Sequence, residues 1–142
     1  MRKVSHILLR KGSSVISVQP DLPVIQALEL MAEKNIGSVM VMNQEEYLGV
    51  MTERDYARKV ILMGRSSTET YVKDIMTTGL PRITPENSIE TCMHIMSESN
   101  IRYLPVFEND RVSGIISIND VVTETILSQA ETIEQLHNYI QS

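Results

Sequence analysis

The sequence predicts an α+β fold built twice: two tandem β-α-β-β-α repeats packed sheet against sheet as one pseudo-two-fold body, with an extended C-terminal helix. Three observations carry this expectation. The chain matches itself at an offset of 65 residues. Each copy runs through strand-length and helix-length apolar patterns in the same order, and a helical pattern continues past the second copy.

Residues 18–63 align on 83–128 without a gap, and ten of the 46 pairs are identical. Unrelated segments would share roughly 5–7% from ordinary residue usage. The clearest echo sets Gly49 to Asp55, "GVMTERD", on Gly114 to Asp120, "GIISIND". With a further shift of three residues the segments ahead of the copies also match, Val4 to Leu8 against Val72 to Met76. The expected organisation is therefore a first repeat over 4–63, a polar linker over 64–71, a second repeat over 72–128 and a helical extension over 129–142.

Each copy opens on a short β-like piece, Val15 to Val18 or Arg82-Ile83, and Pro20-Asp21 or Pro85-Glu86 then marks a helix start. Helical spacing joins Val24, Ala27, Leu28 and Met31 in the first copy, and Ile89, Cys92, Met93 and Met96 in the second. Asn35 and Asn100 close these helices. Two strands joined by a polar turn follow, Ser38 to Met42 and onward to Met51, and Tyr103 to Phe107 and onward to Ile116. Thr52-x-x-Asp55 and Ser117-x-x-Asp120 then open another helix in the capping-box pattern, where two short polar side chains satisfy free amides. A unit of about 60 residues buries too little apolar surface to stand comfortably alone. The copies are expected to pack together, with clefts where they meet. Beyond the second copy, Ile126, Ala130, Ile133, His137 and Ile140 form a stripe that predicts packing against the body or a second copy, hence a homodimer.

Composition narrows the function. A net charge of −5 argues against general nucleic-acid binding, and no apolar run approaches the ~20 residues of a membrane helix. A single cysteine suits a reducing compartment, and the expected location is cytoplasmic. The first twenty residues are basic and acid-free, as in a transit peptide. Their match to residues 72–76 and the shortness of Leu8-Leu9 favour reading them as part of the fold. His6, His94 and His137 lack ligand spacing, so no metal site is expected. His94 reads as solvated and Cys92 as a packed small side chain.

This pattern resembles the CBS domain, named after cystathionine β-synthase, whose copies occur in pairs called Bateman modules. "NIRYLPVFENDRVSGIISINDVV" is similar to the family consensus. "GVMTERDYARKVILMGRSS" with the tail "LHNYIQ" resembles small stand-alone CBS pairs of bacteria and plant organelles. The resemblance implies regulation: adenosine nucleotides (AMP, ADP, ATP, with NAD or S-adenosylmethionine in some members) bound in the clefts. It implies that Asp55 and Asp120 accept from the ribose hydroxyls and that Thr52 and Ser117 contact phosphate. It also implies that Val18 with Val39, and Ile83 with Leu104 and Tyr103, line adenine slots. These roles make chemical sense, since a carboxylate suits a vicinal diol and a helix N-terminus suits phosphate.

The copies differ around the aspartate. The first has Arg54, Arg58 and Lys59, with Arg65 beyond, and a continuing helix would put the three arginines on one face. The second has Asn119, Thr123 and Glu124 there, and Arg102 where the first has Gly37. Two unequal sites are expected, with Arg54, Arg58, Lys59 and Arg102 as phosphate ligands. The first copy also carries Met40 where Pro105 fits the consensus. The expected function is a nucleotide-sensing module acting on a client protein, requiring no cofactor, with adenosine nucleotide as its regulatory ligand. The alternatives are a scaffold with degenerate clefts or a nucleotide-hydrolysing enzyme. No nucleophile-base pair or Gly-rich phosphate loop supports the last.

Overall fold

The computed structural model describes residues 2–12 and 15–141. They form a mixed α/β structure with two sheets and, at its end, one long helix. Helix α1 is Val4–Lys11, β1 Ser17–Val18, α2 Val24–Lys34, β2 Ser38–Asn43 and β3 Glu46–Thr52. One turn of helix, α3 Glu53–Tyr56, runs into a π-helical turn over Ala57–Ile61. Then come α4 Val72–Ile75, α5 Ile89–Ser99, β4 Tyr103–Glu108, β5 Arg111–Ser117 and α6 Ile118–Gln141.

The division in space differs from the division in sequence. Among the described residues, one compact unit holds 15–80, and the other holds 2–12 with 81–141. Each leader segment therefore packs with the repeat it does not precede. Val4 and Ile7 of α1 lie in the core of the second repeat with Ile83, Leu104 and Ile116. Val72 and Ile75 of α4 lie in the core of the first with Val39, Val41 and Met51. The backbone repeats the arrangement bond for bond. The Val4 and Ser5 amides donate to Asn87 and Pro85 carbonyls, and the Val72 and Lys73 amides to Leu22 and Pro20 (all 2.9 Å).

Those docking carbonyls correct one expectation. The Pro-acid pairs form turns, and the helices start three residues later, at Val24 and Ile89. Ser88 caps α5 by accepting from the Thr91 amide (3.1 Å). Pro23 offers α2 no side-chain acceptor, and the Thr70 and Ser67 carbonyls take the Val24 and Ile25 amides instead (2.8 and 3.0 Å). The polar linker is thus the cap of α2. Asn35 and Asn100 close α2 and α5 in the left-handed conformation, as the sequence predicts (φ 54° and 52°).

Strands β2–β3 and β4–β5 are antiparallel pairs with the same register and the same bulge, after Val41 and after Val106. Met40 in place of Pro105 has a visible consequence. Its amide donates to the Ile16 carbonyl (3.2 Å), a bond proline cannot make, and β1 pairs with β2 as a parallel strand. In the second repeat, the equivalent contact is a single bridge from Ile83 to Val106. The expected α2 and α5 stripes are buried except for Leu28, half-buried, and Met93, 40% exposed. No helix among the described residues is long and apolar enough to cross a membrane.

Candidate functional site

Both Thr/Ser-x-x-Asp stretches are capping boxes, and both place a carboxylate at a helix N-terminus beside strand ends. In the first repeat, the Thr52 amide and hydroxyl donate to Asp55 Oδ2 (3.0 and 3.1 Å), and the Asp55 amide donates back to Thr52 Oγ1 (3.0 Å). In the second, the Ser117 amide donates to Asp120 Oδ2 (2.8 Å) and the Asp120 amide to Ser117 Oγ (3.2 Å). The preceding loop is also held identically: the Glu53 amide donates to the Gly37 carbonyl (3.1 Å) and the Ile118 amide to Arg102 (2.9 Å).

The remaining contacts separate the two caps. Asp55 Oδ1 accepts from the Thr77 hydroxyl (2.7 Å) and is ion-paired with Lys59 (3.0 Å), so its two oxygens take three hydrogen bonds and face one cation. A carboxylate offers about four lone-pair directions. Asp55, only 6% exposed, is enclosed by these three donors and by Lys59. Asp120 takes its cation from α1: Lys11 Nζ bonds Oδ2 (2.9 Å) and also the Ile115 carbonyl (3.1 Å). Among the described residues nothing donates to Asp120 Oδ1 or accepts from the Ser117 hydroxyl. Lys11 and Thr77 were not identified from the sequence. Each lies far along the chain from its aspartate, and the one clue is that the leader segments match each other with a three-residue shift.

The basic stripe of the first repeat is not continuous. Lys59 turns inward to Asp55 and donates to the Ile75 carbonyl (2.9 Å). The π turn ends the helix before Arg65, which lies 3.9 Å from Asp74. Arg54 is half-buried and Arg58 exposed. In the second repeat Arg102 is exposed, and its guanidinium has no partner among the described residues. The bond from Ile118 to its carbonyl holds it next to the Ser117–Asp120 cap.

Val18, Val39, Ile83 and Leu104 sit within the two hydrophobic cores at 7%, 1%, 1% and 0% exposure. Tyr103, half-buried, begins β4 opposite Ser117. Cys92 is buried, and burial pushes its thiol up to about 11, so almost no thiolate exists near neutral pH. His94 is exposed and lies 3.2 Å from Glu98, a solvated pair as expected.

A family model described as "CBS domain" matches residues 4–61 and again 72–126. The CBS domain-containing protein CBSX3, mitochondrial, of Arabidopsis thaliana is 35% identical over 147 residues, which cover 97% of this chain and 71% of that one. A solved protein with CBS domains from Burkholderia ambifaria is 40% identical with a TM-score of 0.86, covering 90% of this chain and 96% of that chain.

Proposed function

Since the chain belongs to the CBS domain family, we propose that it is a regulatory module that binds an adenosine nucleotide at a Thr/Ser-x-x-Asp cap and passes the bound state to a client protein. One observation carries the reading. The second cap keeps an open acceptor at Asp120 Oδ1, an open donor at Ser117 and an exposed cation at Arg102, the groups that a ribose diol and a phosphate would use. One solved CBS domain pair was crystallised with 5-methylthioadenosine and S-adenosyl-L-methionine; at 21% identity and a TM-score of 0.76 its likeness to this chain is one of fold. A bound nucleotide shifts a client only as far as it binds one arrangement of the module better than another. Calorimetric titration of the full chain with AMP, ADP, ATP, NAD and S-adenosylmethionine is expected to give saturable binding by at least one, with the ligand recovered unchanged by chromatography. Failure of the whole panel would leave the scaffold reading, and turnover would leave the enzyme.

We assign the exposed face of α6 to a second copy of this chain. Val122, Ile126, Ile133, Leu136 and Ile140 are 45–80% exposed and lie four, seven, three and four residues apart, the phase of a coiled-coil seam with Gln129 at its one polar position. The acids Glu124 and Glu131 point the other way, to Arg2, so two copies of a chain carrying −5 would meet without like charges at the seam. Light scattering is expected to find a dimer in the wild type and a monomer in Ile133→Asp. A wild-type monomer at high micromolar concentration would exclude the assignment.

A further inference from the structure

The two caps are equal in sequence motif and unequal in chemistry, and resting on the nucleotide-binding reading, we infer that the module takes one nucleotide per chain, at the Asp120 cap, with Lys11 of α1 selecting for a phosphate-bearing ligand. The basic residues of the first repeat favour the opposite choice when read from sequence alone. The contacts reverse it. Asp55 accepts three hydrogen bonds, one of them from the Thr52 hydroxyl, and Lys59 is held between its ion pair with Asp55 and a bond to the Ile75 carbonyl. A diol reaching Asp55, 6% exposed, would have to displace the part-buried Thr77 hydroxyl or break the ion pair with Lys59, and leaving a buried hydroxyl unpaired costs more than its bond contributes.

At Asp120 no displacement is needed. Lys11 and the Ser117 amide share Oδ2, which leaves Oδ1 for a hydroxyl of the diol. An ammonium carries three donors. Two of Lys11's are used, on Asp120 and the Ile115 carbonyl, and among the described residues nothing accepts from the third, which an incoming anion would take. Arg102, held beside the same cap, adds a second cation where the first repeat has Gly37. The local balance is then one acid against two cations, within a chain of net charge −5. Lys11 thus has two roles at once: it orients the ribose acceptor, and its open N–H rewards a phosphate and gains nothing from a neutral nucleoside.

The test is titration of the full chain with AMP and with adenosine. Wild type is expected to bind one AMP per chain. Asp55→Asn is expected to keep that stoichiometry, and Asp120→Asn to lose tenfold or more in affinity for both ligands. Lys11→Met is expected to weaken AMP about tenfold or more beyond any loss it causes for adenosine, the effect of one lost charge-assisted bond. Because Asp55→Asn also disturbs a filled cap, amide chemical-shift mapping on the wild-type chain provides a variant-free check, with AMP moving Ser117 and Asp120 and not Thr52 and Asp55. Two AMP per chain, shifts centred on Asp55, or equal losses of AMP and adenosine in Lys11→Met would overturn the inference while leaving nucleotide sensing intact. No binding by any adenosine ligand would overturn the sensing reading and this inference with it.

Discussion

Replacing Arg2 and Arg10 together by alanine is expected to lower the unfolding free energy by about 3–5 kcal/mol, the usual cost of stranding one buried charge. The charge is Glu124, 1% exposed, which accepts from Arg10 Nε at 2.9 Å and from Arg2 Nη1 at 3.4 Å. Both arginines come from the leader segment, and Arg2 reaches Glu131 one helical repeat further along α6 as well. Loss of about 3 kcal/mol corresponds to a fall in Tm on the order of 10 °C for a chain of this size. Glu124→Met, which removes the charge instead of its partners, is expected to be near neutral in urea unfolding, because a well-packed apolar side chain escapes the desolvation penalty. If the double arginine variant and Glu124→Met have equal midpoints, the pairing does not hold the leader in place.

This network gives the basic start of the chain a structural role. Lys3 pairs with Glu86, Arg2 and Arg10 with Glu124, and Lys11 with Asp120. Position 124 corresponds to Lys59 of the first repeat, where the charge is reversed and the partner is the cap aspartate itself. One change of sign between the copies therefore accompanies a change in which leader residue serves the cap: Thr77 in one, Lys11 in the other.

The repeat, the two strand pairs, the asparagine helix stops and the capping boxes are all legible in the sequence, because each rests on local chemistry within a few residues. The exchange of leaders is not. An amphipathic segment such as Val4 to Leu8 carries no mark of which of two homologous cores it enters, since both cores present the same apolar surface to it. The π turn after Tyr56 is equally silent, and it breaks the arginine face that regular helical spacing predicts. The third hydrogen bond to Asp55 follows from the exchanged leader, since Thr77 reaches it only because α4 packs there. The capping motif is thus legible in the sequence, while the inequality of its two copies depends on contacts made at long range.

The glycine that opens the motif shows how one letter, repeated, has two different jobs. Gly49→Ala is expected to destabilise the chain by about 1–3 kcal/mol, the range for overpacking a well-packed site. A Cβ at Gly49 would lie 2.5 Å from the Thr77 carbonyl oxygen, a backbone atom tied on both sides. The Val50 amide donates to that oxygen at 3.0 Å, and the Thr77 amide donates to the Val50 carbonyl at 2.8 Å. Gly114→Ala meets only the end of the Leu8 side chain, at 2.9 Å, which a rotamer change relieves for under about 1.5 kcal/mol. The stiffening of the unfolded chain by alanine offsets part of that. Thermal unfolding of the two variants side by side is expected to separate them by several degrees, and equal melting temperatures would mean that Thr77 is not pressed against the strand. The consequence reaches the site. Close approach at Gly49 is what brings the Thr77 hydroxyl to 2.7 Å from Asp55, so the same variant should loosen the closed cap of the first repeat. If Gly49→Ala raises AMP stoichiometry above one per chain, the inequality of the caps originates at this glycine, in the packing of an exchanged leader, and not in the aspartates the two copies share.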